Sequence, residues 1–301
     1  MKILVLGNST DAHAAHVLQA LRVAEATAEY WDTALFPRRS HFSWYPHTAT
    51  GIITLSDGSQ WSLAEVHSVF WRSLTGVQIP PLPEPGQEQI ALQDAMSLLR
   101  SLLQVESIHW VNSWQAYQFH KEKPRQLSQV CQLGVKIPAT LISNDSVAIT
   151  EFVQQHPKVI FKPVYGGVHT QLVTAEHLYP DRLKQVLSIA PATFQEYIPG
   201  TNLRSYVIGD TVYTAEIRSP EIDFRQDPTA QLIPIALPNS IQQQCRAIAR
   251  VLLLEWTAID WRLTPAGDYI FLEANPSPMF LHFEQQTGYP ITQQLVKLLM
   301  H

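Results

Sequence analysis

The residues best suited to chemistry lie in one short stretch, from Ala258 to Pro278. There Ile259, Trp261, Leu263, Ile270, Leu272 and Ala274 alternate with Asp260, Arg262, Glu273 and Asn275, and Thr264 to Asp268 supplies a Pro/Gly turn. A period of two marks half-buried strands, so the stretch reads as a hairpin. Folded symmetrically about the turn, it pairs Leu263 with Ile270, sets Asp260 opposite Glu273 and leaves Asn275 on their face. Two facing carboxylates repel by about 1 kcal/mol in water and by about 4 kcal/mol at an effective dielectric of about 20, so a cation belongs between them. Two carboxylates and an amide oxygen form a hard, all-oxygen set suited to magnesium, with water and phosphate completing its shell. The competing reading is a surface hairpin whose acids are solvated or paired with Arg262.

Other candidates lie upstream. Lys162 ends the apolar run Val159 to Phe161, just before Gly166 and Gly167. Backbone there can approach a phosphate closely, although a lysine lying along a strand end looks the same in sequence. Lys123 opens a helical stretch, and Glu196, Tyr197 and Ile198 leave a strand for Pro199-Gly200. Arg204 lies on a strand, and Arg225 follows Asp223-Phe224. Either arginine suits a phosphate clamp or a structural ion pair. The twelve histidines show no metal-ligand spacing, and His169, after the glycine pair, is the one placed near candidate chemistry. No Gly-x-Ser-x-Gly, HExxH or Walker-type loop occurs. Trp71, Trp110 and Trp256 fall in apolar runs and read as core.

The elements that must position these residues alternate. Lys2 to Leu6 reads as a buried strand, followed by a polar loop and a helix through Leu21, an α/β start. Gly7 lacks the companion glycines of a dinucleotide fingerprint. Ser56-Asp57-Gly58-Ser59 joins strands at Ile52 to Leu55 and Trp61 to Leu63, and Val69 to Arg72 is a further strand. After the proline-rich loop 80–85, Glu88 to Val105 is an amphipathic helix. Helices are expected over Lys123 to Leu133, from Ser146, over Ile241 to Leu254 and over Ile291 to Met300. Strands are expected at Thr140 to Ile142, Val159 to Phe161, Gln171 to Thr174 and Thr193 to Ile198, with a hairpin of Arg204 to Ile208 and Val212 to Ile217.

With 301 residues and 46% hydrophobic content the chain can hold two or three small packed domains. Its net charge of −5 and lack of any basic run give no compositional sign of a nucleic-acid partner. Two cysteines, Cys131 and Cys245, exclude a disulfide framework and a structural zinc cluster and point to a reducing compartment. The N-terminus is too short in apolar residues for a signal segment and no run approaches a membrane span, so a cytoplasmic protein without a membrane partner is expected.

Taken in order, the lysine before a helix, the lysine before a glycine loop, the Glu-containing strand exit and Asp…Glu-x-Asn resemble the ATP-grasp superfamily over most of the chain. The segment from Glu122 and Lys123 to Asn144 resembles its first nucleotide lysine and the helix behind it, and Ile160 to Pro163 its second lysine. Gln195 to Ile198 resembles the hinge that holds adenine. Asn202-Leu203-Arg204 and Asp223-Phe224-Arg225 resemble motifs of the RimK-like branch, which adds glutamate to a ribosomal protein. Asp11-Ala-His13, Leu35 to Pro37, Val69 to Arg72, Phe271 to Pro278 and Phe283 to Ile291 resemble the microviridin-type (graspetide) peptide ligases. Two departures stand out. Asn202 replaces an acid that would accept ribose hydroxyls, which bears on nucleotide affinity or preference, and Trp71-Arg72-Ser73 lacks a second arginine.

The resemblance implies an ATP-grasp fold, two α+β lobes gripping ATP, preceded by a small α/β domain: 1–112, 113–192 and 193–301. It implies ATP with magnesium (or manganese) held by Asp260, Glu273 and Asn275. Nucleotide contacts fall to Lys123, Lys162, Gly166, Gly167, Glu196, Tyr197, Ile198 and Asn202, and Arg204 and Arg225 act on the transferring phosphate. The implied activity is an ATP-dependent carboxylate–amine or carboxylate–hydroxyl ligase acting through an acyl phosphate on a peptide. The alternatives are a ligase of amino acids or small carboxylates and a nucleotide-binding regulatory protein without turnover. A homodimer is the implied assembly.

Overall fold

The computed structural model describes residues 1–165, 170–219 and 229–301. It divides into two compact units, one of residues 1–117, 253–256 and 277–301, the other of residues 118–252 and 257–276.

The first unit opens with β1 (Lys2–Leu6), α1 (Ala12–Val23) and β2 (Thr27–Trp31). Asp11 caps α1 by accepting from the backbone N–H of His13 at 2.8 Å and of Ala14 at 3.0 Å, two of the donors a helix start leaves unpaired. A meander follows of β3 (His41–Tyr45), β4 (Thr50–Thr54) and β5 (Gln60–Ser62), then β6 (Val66–Trp71), α2 (Pro85–Leu102), β7 (His109–Val111) and the first half of α3 (Trp114–Lys121), whose residues from Gln118 are counted with the second unit. β2, β1, β6 and β7 form a parallel sheet in that order. Its core is aromatic, with Trp31, Trp71 and Trp110 packed on Leu99 and Leu102 of α2.

In the second unit α4 (Lys123–Gln132) ends at Gly134, whose φ of +77° is the left-handed conformation that stops a helix. Next come β8 (Thr140–Ser143), α5 (Ser146–Gln155), β9 (Val159–Pro163), β10 (Gln171–Leu172), α6 (Pro180–Leu187) and β11 (Ala192–Glu196). These strands make an antiparallel sheet, order β10-β9-β11-β8, whose Phe161 and Phe194 pack with Ile149 of α5 and Leu183 and Leu187 of α6. The second sheet holds β12 (Thr201–Ile208), β13 (Thr211–Arg218), β14 (Gln231–Ile235), β15 (Trp256–Leu263) and β16 (Tyr269–Asn275), order β14-β13-β12-β15-β16. α7 (Asn239–Val251) packs on β12 and buries Cys245, whose thiol burial pushes up to about 12. The chain closes in the first unit with α8 (Leu281–Thr287) and α9 (Ile291–Leu299), where Ser68 Oγ donates to Leu299 O at 2.6 Å.

The expected elements are present with shifted ends. The strand expected through Thr174 stops at Leu172, and the one expected through Ile198 stops at Glu196. Both cysteines are unpaired, Cys131 exposed and Cys245 buried. Among the described residues no helix is long and apolar enough to cross a membrane.

Candidate active site

β15 and β16 are antiparallel, and Asp260 lies opposite Glu273, with Ala258 opposite Asn275. The turn closes as expected, with Gly267 donating to Thr264 O at 2.9 Å. The pairing beside the turn is corrected: Leu263 faces Tyr269 and Arg262 faces Ile270, because a bulge inserts Leu272 between the Trp261–Phe271 and Asp260–Glu273 pairs. A bulge rotates the side chains that follow it. Here it turns Phe271, fully buried, toward Trp261 at 6.0 Å between ring centroids, while Glu273 and Asn275 share the face of Asp260.

Each carboxylate meets its own cation. Arg204, on β12, grips Asp260 through Nε at 2.7 Å and Nη2 at 2.8 Å, and Lys123 donates to Glu273 Oε2 at 2.6 Å. Burial works against the Arg204 charge, but Asp260 outweighs it and holds the guanidinium pKa above its ordinary value. Nearby His120 has its pKa lowered by burial and by the Lys123 charge. Arg262 does not pair with these acids; it donates to Gly200 O at 3.2 Å and lies 6.0 Å from the Tyr197 ring.

β16 is an edge strand, and α4 with the loop behind it covers that edge. Gln126, 2% exposed, accepts from Ala274 N at 2.9 Å and donates to Ala274 O at 3.0 Å. Phe271 N donates to Lys136 O at 2.9 Å. The sequence showed Gln126 only as a polar residue beside apolar Leu127. Its spacing of three from Lys123, which puts both on one helix face, was the available signal.

Lys162 lies on β9 and donates to Gln195 Oε1 at 3.3 Å; Gln195 Nε2 donates to Thr140 Oγ1 at 2.9 Å, and Thr140 in turn to Pro138 O at 2.8 Å. This chain of bonds orients Lys162 through Gln195, a buried polar residue that heads the hinge-like segment Gln195 to Ile198 and whose link to Lys162 has no signal in the sequence. At the end of β11 the N–H of Glu196 donates to Ala139 O and that of Tyr197 to Lys158 O, both at 2.9 Å. The N–H of Ile198 has no backbone acceptor among the described residues. Lys158 Nζ stands 4.1 Å from the Tyr197 ring. Asn202 is buried on β12, two residues before Arg204 and so on the same face. Gly166, Gly167, His169 and Arg225 lie outside the described residues.

The donor set fits a hard cation arriving with anions. Among the described residues, the two carboxylates are matched by the two cationic side chains Lys123 and Arg204, so that a divalent ion added to these four groups alone would leave them positively charged. Phosphate oxygens would restore neutrality and add ligands. Among the described residues no group of three or more His, Cys, Asp or Glu is placed to hold a metal.

A family model described as a RimK-like ATP-grasp domain matches residues 120–299. No curated protein matches the chain in sequence. Among solved structures, the ATP-grasp ligase PsnB complexed with its minimal precursor is 30% identical, with a TM-score of 0.87 over 99% of this chain and 98% of PsnB. The macrocyclase MdnC from Microcystis aeruginosa MRC, bound with the precursor peptide MdnA, is 29% identical, with a TM-score of 0.87 over 100% of each chain. The VanG D-Ala:D-Ser ligase from Enterococcus faecalis shares the fold, at 17% identity and a TM-score of 0.64 over 99% of this chain and 98% of VanG.

Proposed function

Because this chain belongs to the RimK-like ATP-grasp family of ligases, we propose that it uses ATP to activate a peptide carboxylate and join it to an amine or hydroxyl. The product is a side-chain amide or ester. The observation that carries the reading is the facing pair Asp260 and Glu273, each already matched to a cation able to serve phosphate. Similarity along the whole chain to two peptide-bound ligases supports a peptide as substrate.

In this reading residues 113–192 and 193–301 are the two lobes that grip ATP, residues 1–112 precede them, and the enzyme works in the cytoplasm as a homodimer. Glu196, Tyr197 and Ile198 hold adenine, with the Ile198 N–H as donor to the base edge. Asn202 faces the ribose. Lys123 and Lys162 neutralise the phosphates, and Gly166 and Gly167 contact them. Asp260, Glu273 and Asn275 would hold magnesium, or manganese, which supplies charge neutralisation on the phosphate oxygens. A substrate carboxylate oxygen attacks the γ-phosphorus and ADP leaves, giving an acyl phosphate. Arg204 and Arg225 stabilise the charge on the transferring group. The amine or hydroxyl then attacks the acyl carbon, loses its proton and expels phosphate. Excluding water protects that intermediate from hydrolysis.

The test is to supply the full chain with ATP, magnesium and peptides carrying Ser, Thr or Lys together with Asp or Glu. ADP release that depends on the peptide, with the loss of one water from the peptide per bond formed, is the expected result. Release with free amino acids but not with peptides would transfer the reading to an amino-acid ligase. Nucleotide binding without turnover on any acceptor would favour a regulatory protein, the reading to which Asn202 lends weight.

A further inference from the structure

One contact of this site has no counterpart in the ligand set, yet it acts on that set directly. Ala274 separates Glu273 from Asn275, and its N–H and C=O both close on the single amide of Gln126. Side chains alternate along a strand, so Glu273 and Asn275 project from the face opposite Ala274. Any rotation of the peptide planes on either side of Ala274 therefore moves both. Elsewhere on this edge the partner is main chain, Lys136 O, but at the point between the two candidate ligands it is a side chain. That side chain lies one helical turn from Lys123, which holds the Glu273 carboxylate itself. α4 thus grips Glu273 by its charge and the adjoining backbone by an amide.

Resting on the reading of Asp260, Glu273 and Asn275 as a metal site, we propose that Gln126 is the positioning residue of that site. Its paired hydrogen bonds to Ala274 set the separation and direction of the Glu273 and Asn275 oxygens. Groups that orient metal ligands from behind typically change metal affinity about 10–100-fold when removed.

The test titrates Mn2+ into the full chain in the presence of ADP, well below the melting temperature, and measures ADP affinity without metal alongside. Gln126→Met keeps the length of the side chain and removes both bonds. It should weaken Mn2+ binding at least about tenfold and leave metal-free ADP binding within about twofold. Val130→Ala, a buried apolar position one turn along α4, is the matched control. It should lower the melting temperature and leave Mn2+ affinity within about twofold. Gln126→Asn, whose amide is too short to reach Ala274, is read in the same way should the methionine variant not fold. Wild-type Mn2+ affinity in a folded Gln126 variant, or equal losses in it and in Val130→Ala, would overturn the proposal. Wild-type protein that binds no Mn2+ with ADP, or Glu273→Gln that binds it unchanged, would instead overturn the metal-site reading beneath it.

Discussion

Arg204 meets Asp260 edge to edge, and both side chains are largely buried, at 15% and 12% exposure. Breaking such a pair costs about 3–5 kcal/mol, because the partner is left charged and unsolvated. A lysine retains the charge but cannot form the planar two-bond fork. Arg204→Lys should therefore lower stability by about 1–2 kcal/mol in chemical denaturation and slow ADP formation at least about tenfold; unchanged values for both would remove Arg204 from the site. At this scale the sequence was legible where period-two alternation is regular, which is why Asp260, Glu273 and Asn275 could be placed on one face. The bulge at Leu272 was not, since an extra residue leaves no mark when Phe271 and Leu272 are both apolar. Nor was the bonding of Gln126 to Ala274 or of Gln195 to Lys162, because a glutamine that bonds to buried groups has the same composition as one that faces water.

The elements around the site hold one another at specific points. Gly200, with φ of +140°, passes so close to β15 that an added Cβ would fall 2.1 Å from Leu263 O. Gly200→Ala would meet both that clash and a backbone region reserved for glycine, and should destabilise the protein by about 2–4 kcal/mol in denaturant titration. A loss below about 0.5 kcal/mol would show that the loop between β11 and β12 shifts without cost. Helices with clear caps and stops, α1 and α4 among them, were readable because Asp11 and Gly134 carry the physical signal. Elements that break their own pattern were missed. β14 contains Pro234, which suits it to the sheet edge it occupies but argues against a strand in sequence. α6 and α8 are only eight and seven residues long, too short to establish a period.

At the scale of the molecule, each unit fastens its backbone with a buried amide. Asn112 in the first unit accepts from Glu255 N and Trp256 N and donates to Trp256 O; Gln126 treats Ala274 similarly in the second. The first unit also carries a pH-dependent tie, His109 Nε2 at 2.7 Å from Glu255 Oε2. The hydrogen bond to Glu255 raises the His109 pKa, with burial opposing it. Its stabilisation is thus fully present below the unfolded value of about 6.5 and is lost as pH rises through the higher folded value. The pair is half exposed on its glutamate side, which screens the gain to about 1 kcal/mol or less. His109→Gln should lower the melting temperature by about 2 °C at a pH of about 5.5 and by less at a pH of about 8.5, measured by thermal unfolding; an equal drop at both would remove the charge from the explanation.

The central claim, that a peptide carboxylate is activated by phosphoryl transfer, is tested most directly by labelling that carboxylate with oxygen-18. If an acyl phosphate forms, each bond made transfers one labelled oxygen to the released inorganic phosphate, and ADP is the nucleotide product. Unlabelled phosphate, or AMP with pyrophosphate, would contradict it.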